Sequence, residues 1–268
     1  MGRANGRKSI FVTGAASGIG AETARYFAQK GWFVGLYDID ANGLAECAGG
    51  IGAENCITGQ LDVRDREQWA RVVAEFSDAT AGEMTVLFNN AGIGHHGWFE
   101  DIAPEESDAI IDINVKGVIN GAYAALPLLK ATKDARIVNV ASTAGFVASP
   151  QLAVYAASKF AVRGFTEALD VELSPIGIKV TSLAPWFIDT PILDMGQSVN
   201  ANHKMSDQLQ ASGTVIYPVS VAAEAAWEAA HGSKQHYGAG KLSNRMRFMA
   251  RYFPGRIRKQ LEKVVPER

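Results

Sequence analysis

The sequence predicts a single α/β domain, a doubly wound parallel sheet of about seven strands with helices on both faces. Three observations predict it. Short apolar runs alternate with longer amphipathic stretches from the start to about residue 185. Several of those runs are apolar on consecutive residues, as in parallel strands buried on both faces. No Pro/Ser linker, internal repeat or low-complexity tract divides the 268 residues.

In chain order the expected strands are Ser9–Thr13, Phe33–Tyr37, Cys56–Leu61, Thr85–Asn89, Arg136–Ala141 and Lys179–Leu183, with a late run at His236–Ala239. The stretches between them carry helical spacing. In Glu22–Lys30, for example, Thr23, Phe27 and Ala28 share one face while Arg25 and Lys30 lie off it. Right-handed crossovers then distribute the helices over both faces of the sheet. Two regions leave this rhythm: Pro191–Pro218 is polar and interrupted, as a lid over a site would be, and Lys241–Arg268 is strongly basic.

Composition excludes several functions. With 47% hydrophobic and 20% charged residues the chain buries a sizeable core, and a net charge of −2 supplies no overall field to recruit nucleic acid. Cys47 and Cys56 fit neither a zinc-ligand spacing nor a disulfide framework, which indicates a reducing, cytoplasmic setting. The basic start MGRANGRKS is not followed by a signal-peptide core, and Gly6 stands where a myristoylation motif needs Ser or Thr. No apolar run approaches the length of a membrane span.

The first chemical motif is the turn Thr13–Gly20 between the first strand and the first helix. Gly14 permits a tight turn, Gly18 lets backbone approach a pyrophosphate, and Gly20 allows close helix–sheet packing. Ser17, Gly18 and Ile19 open the helix, whose free N–H groups and dipole favour phosphate. Asp38 follows Gly20 by 18 residues, close to the distance at which a carboxylate meets the adenosine ribose. Its charge would repel the extra phosphate of NADP by about 1–4 kcal/mol per unit charge at roughly 4 Å, so NAD is the expected cofactor. Asp38 could instead cap the next helix, a role open equally to Asp40.

Tyr155 and Lys159, four residues apart, share a helix face. A neighbouring ammonium favours the tyrosinate, turning a poor base into a usable one. By itself such a pair is common on surface helices. Ser142 gives it weight: it ends a strand at the carboxyl edge where α/β sheets place ligands, 13 residues before Tyr155. Its hydroxyl can hold a substrate oxygen toward Tyr155. Asn89–Gly92 ends the preceding strand, and Asn114 lies on the helical stretch beyond.

From about Lys8 to Thr190 these motifs, in this order, resemble the short-chain dehydrogenase/reductase family, a resemblance completed by Pro185…Thr190. It implies a Rossmann-like fold and a catalytic tetrad of Asn114, Ser142, Tyr155 and Lys159. Tyr155 would be the general acid/base, Ser142 would hold the substrate oxygen, and Asn114 would help order a water relay to Lys159. It also implies that Asp62 and Val63 lie at the adenine, that Asn90, Ala91 and Gly92 support the cofactor, and that Pro185, Ile188 and Thr190 lie near the nicotinamide. The chain departs from the family at Trp186, where glycine is usual; the indole would wall the pocket or pack under the lid.

The expected reaction interconverts a hydrophobic, bulky secondary alcohol and its ketone, an oxidoreductase using NAD. The expected substrate wall, His95, Thr143, Ala144, Leu152, Trp186, Phe187 and Leu193, is largely apolar, and Met195 in the lid would extend it. It holds no arginine to clamp a carboxylate or phosphate. His95-His96 lacks an evident carboxylate partner, so no metal is expected. Alternatives are a 3-oxoacyl thioester reductase, which Asp38 argues against, and a non-catalytic NAD-binding regulatory protein, which the filled tetrad argues against.

Residues 1–240 would form the dinucleotide-binding catalytic domain, with a lid at about 190–218, and 241–268 a basic amphipathic extension. That extension carries +7 against −9 for the remainder. It either packs on its own acidic body or a neighbouring subunit and closes over the pocket, or touches an anionic membrane peripherally, the first being preferred. The family forms homotetramers or dimers. Small and apolar residues such as Ala122, Ala125, Ala156, Ala161 and Phe165 would let the helices around 114–129 and 152–173 meet those of another subunit.

Overall fold

A computed structural model describes residues 2–194, 205–263 and Val265. Lid residues 195–204, Met195 among them, lie outside the described residues. The elements follow as β1 (Ser9–Thr13), α1 (Gly18–Gln29), β2 (Phe33–Asp38), α2 (Ala41–Ile51), β3 (Cys56–Gln60), α3 (Arg66–Thr80) and β4 (Val86–Asn89). After β4 come α4 (Pro104–Ile111), α5 (Gly117–Ala131), β5 (Arg136–Val140), α6 (Ala153–Leu173) and β6 (Lys179–Pro185). The chain continues with α7 (Met205–Ala211), α8 (Val219–His231), β7 (His236–Ala239), α9 (Lys241–Tyr252) and α10 (Pro254–Glu262).

All seven strands are parallel, in the order β3-β2-β1-β4-β5-β6-β7. The expected strand runs agree within two residues, the largest shift being the extension of β6 to Pro185. Chain direction across the sheet reverses between β1 and β4, so a crevice opens at their carboxyl ends.

Side-chain alternation explains why both faces are covered. Ile10, Val12, Val34, Leu36, Phe88 and Val138 join one buried cluster with α1 and α8. Phe11, Phe33, Tyr37, Leu87 and Ile137 join a second with α3 and α5. Each such large side chain contributes about 1.5–3 kcal/mol on burial. Trp227 of α8 packs edge-on against Phe27 and Trp32, a core role. Cys47 and Cys56 are buried and unbridged.

The outward faces of α5 and α6 correct one expectation. Ala122, Ala125 and Ala156 are buried within the subunit, the first two in the cluster against the sheet. The residues turned outward are Tyr123, Phe160, Ala161 and Val171.

Candidate active site

Strand β1 ends at Thr13, whose hydroxyl accepts the backbone N–H groups of Asn90 (3.0 Å) and Ala91 (3.1 Å). The Asn90 amide donates back to the carbonyls of Thr13 and Gly14, so the two strand ends are laced together at the crevice. A Cβ on Gly20 would stand 2.0 Å from the Gly14 carbonyl oxygen, so only glycine allows α1 to seat there. Gly18 adopts φ +53° beside Thr190, in the region that favours glycine. Ser17 does not cap α1 with its side chain, and no acidic residue occupies the first turn. The helix therefore offers its free N–H groups and positive dipole end to an anion.

Asp38 ends β2 on the same cavity wall. Its carboxylate accepts from Ala16 N and Asp40 N, both at 3.1 Å. Capping of α2 falls to Asp40, which accepts from Asn42 N and Gly43 N. Asp62 faces the cavity too, held by Arg64 at 2.6 Å, a pairing that drives its carboxyl below the usual range. Val63 fixes its stretch by accepting from the Trp69 indole and the Asn120 amide.

Ser142 leaves β5 and opens a short turn, its hydroxyl accepting from Ala144 N at 3.1 Å. The same side chain hydrogen-bonds Tyr155. Burial pushes the Tyr155 phenol up, and the Ser142 hydrogen bond pulls it partly back. Lys159, one turn along α6, places its ammonium 5.6 Å from the Tyr155 ring centroid and donates to the Val140 carbonyl at 3.0 Å. Burial lowers its pKa to about 8, which keeps it largely charged at neutral pH.

Asn114 is fully buried behind this group, in a π-helical turn (Asp112–Lys116) between α4 and α5. Its amide bonds Ile93 through both N–H and C=O and donates to the Ser158 hydroxyl. The wider turn carries Asn114 to the β4 loop. A Cβ on Gly92 would lie 3.1 Å from the Asn114 amide oxygen and 3.5 Å from the Lys159 ammonium, so Gly92 leaves a gap between the two.

All of the expected cofactor, catalytic and substrate positions line one cavity of about 680 Å3, except Gly20, which packs beneath it, and Asn114, which stands behind it. Trp186 takes both places open to it: the indole lines the cavity and donates to Val215 O at 3.1 Å, edge-on to Phe187. Thr143 donates to Pro185 O, tying the β5 and β6 ends, and Leu193 is buried on the cavity wall. His95 is buried, with Nδ1 3.6 Å from a Glu106 carboxylate oxygen, a partner that the sequence did not reveal. Among the described residues no group of three or more metal-ligating side chains gathers.

The basic tail is expected to close over the pocket, but the sequence reading names none of the residues with which it does so. Met205, Thr214, Met246, Ile257, Gln260 and Leu261 also line the cavity, bringing α7, α9 and α10 over it. The helical spacing of Ile257 and Leu261 was the available signal. Ser243 anchors α9 by donating to Ala184 O, and that long-range contact cannot be read from spacing.

The sequence pattern described as short chain dehydrogenase matches residues 8–204. Oxidoreductase UcpA of Salmonella typhimurium is 40% identical over 197 residues, 72% of this chain and 74% of that protein. Putative oxidoreductase SadH of Mycobacterium tuberculosis is 38% identical over 69% of this chain and 68% of its own. Among solved structures, a short chain dehydrogenase/reductase from Burkholderia phymatum in complex with NAD superposes with a TM-score of 0.82, at 27% identity and full coverage of both chains. A 3-ketoacyl-(acyl-carrier-protein) reductase from Brucella melitensis complexed with NADH gives 0.76 at 31% identity, over 87% of this chain and 98% of that one.

Proposed function

The chain belongs to the short chain dehydrogenase family of oxidoreductases, and on that premise we propose that it interconverts a hydrophobic secondary alcohol and its ketone with NAD(H). One observation carries this reading: Ser142, Tyr155 and Lys159 converge on a cavity that also holds the uncapped start of α1 and the Asp38 carboxylate. The residues present fit a dinucleotide. The α1 turn suits its pyrophosphate, Asp38 its adenosine ribose, Asp62 and Val63 its adenine, and Lys159 its second ribose. Bound NAD(H) supplies the hydride acceptor or donor.

The chain's own residues handle the proton. The Ser142 hydroxyl donates to the substrate oxygen and orients it. In the reductive direction the Tyr155 O–H gives its proton to that oxygen; in the oxidative direction the tyrosinate removes it. Burial opposes the tyrosinate, and the Lys159 ammonium offsets that cost while charged. Asn114, bonded to both backbone groups of Ile93, stands across the Gly92 gap from Lys159, where a relay water would fit.

Substrate preference follows from the wall. Leu152, Val147, Phe187, Ile192 and the tail residues Ile257 and Leu261 are apolar, which suits a bulky neutral substrate. We take residues 1–240 as the catalytic domain, with a lid at about 190–218, and 241–268 as the extension that closes it. The exposed Tyr123 and Val171 of α5 and α6 suit a homo-oligomer. Buried, unbridged cysteines suit a cytoplasmic setting, and no helix among the described residues is long and apolar enough to cross a membrane.

A second reading, reduction of a 3-oxoacyl thioester, gains from the similarity to the Brucella reductase. That enzyme's complex holds NADH, which weakens the argument from Asp38 against it. A panel of hydrophobic secondary alcohols and one 3-oxoacyl thioester, each with NAD(H) or NADP(H), separates the two by absorbance of the reduced nicotinamide. Tyr155→Phe should lower kcat about 10²–10⁴-fold; near-normal turnover in that variant rejects the mechanism.

A further inference from the structure

We propose that the outer face of the α9–α10 pair docks on an anionic lipid bilayer, setting the apolar cavity beside the membrane. The two faces of this pair differ in kind. The inner face holds the protein: Ser243 donates to Ala184 O, Arg247 donates to His236 O, and Met246, Ile257 and Leu261 wall the cavity.

The outer face carries an aromatic cluster that the described residues leave exposed. Phe248 and Tyr252 are 56% and 59% exposed, with ring centroids 4.8 Å apart, and Phe253 adjoins Phe248 at 6.3 Å. Arginines close both ends: Arg251 lies 5.9 Å from the Tyr252 ring centroid and Arg256 lies 5.2 Å from that of Phe253. Exposed rings bracketed by guanidinium groups match the boundary of a bilayer, where rings enter the acyl region and cations meet lipid phosphate.

Charge decides the partner and the orientation. Residues 241–268 carry nine Lys/Arg and two Asp/Glu, whereas residues 1–240 carry a net −9. An anionic surface therefore repels the body as a whole and attracts the basic stretch that holds this pair, so the molecule settles with α9 and α10 downward. The same two helices form a cavity wall, so a lipid-soluble ketone or alcohol would pass from bilayer to cavity alongside them. That delivery rests on the proposed reaction; the docking does not.

Sedimentation of the full chain with vesicles tests it, using phosphatidylcholine alone and phosphatidylcholine mixed with phosphatidylglycerol. The full chain should partition onto the mixed vesicles only, and raised salt should release it as the screening length falls. Arg251→Gln with Arg256→Gln should weaken partitioning about fivefold per charge. Phe248→Ser with Tyr252→Ser should weaken it at least tenfold. These side chains lie outside the cavity, so both variants should keep the thermal transition and turnover of a water-soluble alcohol.

Tyr155→Phe should bind vesicles like the parent, so docking without turnover would reject the reaction and leave the surface standing. Equal sedimentation of parent and variants, or of the two vesicle types, overturns the proposal. So does a fall in oligomeric mass in Phe248→Ser/Tyr252→Ser with sedimentation unchanged, which would assign the patch to a second copy of the chain.

Discussion

Replacing Asp38 by asparagine removes one negative charge while keeping the side chain's size and one carbonyl oxygen. In the parent, the carboxylate is fixed by two backbone N–H groups at 3.1 Å, and among the described residues no lysine or arginine forms an ion pair with it. Its full charge therefore faces whatever binds at that end of the cavity. A phosphate on the adenosine ribose at roughly 4 Å would be repelled by about 1 kcal/mol in water-like surroundings and about 4 kcal/mol at an effective dielectric of 20. Asp38 is half-buried, so the value falls between these limits. At about 1.4 kcal/mol per decade, the parent should prefer NAD over NADP by tenfold up to several hundredfold.

The assay is the ratio of kcat/KM for NAD to that for NADP with one alcohol. Asp38→Asn should collapse the ratio toward unity, chiefly by improving NADP. Asp38→Ser should do the same; in both variants only one of the two oxygens that accept from Ala16 N and Asp40 N remains, at a cost of about 1 kcal/mol of stability. The Arg64 guanidinium lies on the same cavity wall but is engaged by Asp62. Arg64 is the one arginine among the described residues that line the cavity, so Asp62→Asn, which frees it, combined with Asp38→Asn should favour NADP further. An unchanged ratio in both single variants would refute the assignment of Asp38.

Other predictions follow from the same geometry. Burial lowers the Lys159 pKa from 10.5 to about 8, so between these values the unfolded chain binds the proton that the folded chain has lost, and stability rises with pH across that window. Lys159→Met should abolish that rise and, below about pH 8, gain on the order of 3 kcal/mol while losing activity; parallel denaturation curves for parent and variant from pH 7 to 10 would contradict it. Gly20→Ala places a methyl 2.0 Å from the Gly14 oxygen and should weaken NAD binding, with a loss of about 1–3 kcal/mol; calorimetry and titration read both. Trp186→Ala deletes the indole bond to Val215 O and widens the cavity, so KM should fall for alcohols too bulky for the parent and rise for small ones. A uniform shift across the alcohol series would argue that the ring only supports the lid.

Much of the site was legible because its determinants are local. The Thr13–Gly20 turn depends on glycines in fixed order, and the Tyr155/Lys159 pair depends on helical pitch, which four-residue spacing encodes. Asp38 was legible as a charge at the end of a strand, but whether it or Asp40 capped α2 required the hydrogen bonds. Asn114 was legible through the family resemblance, whereas its reach to Ile93 and Ser158 depends on a π-helical turn that no residue pattern announced. The pairing of Glu106 with His95 and of Arg64 with Asp62 depended on side-chain placement.

The sequence by itself determined the succession of strands and helices, the Thr13–Gly20 glycine turn and the helix-spaced Tyr155/Lys159 pair, since each rests on residues a few positions apart. Tertiary structure alone decided which small residues of α5 and α6 turn inward, where the Trp186 ring rests, and which tail residues face the cavity. Those outcomes are set by contacts between distant segments, such as Ser243 with Ala184 and Trp186 with Val215, and they follow from how the faces pack. Amphipathic spacing shows that a helix has a face to bury; only packing selects the surface that receives it.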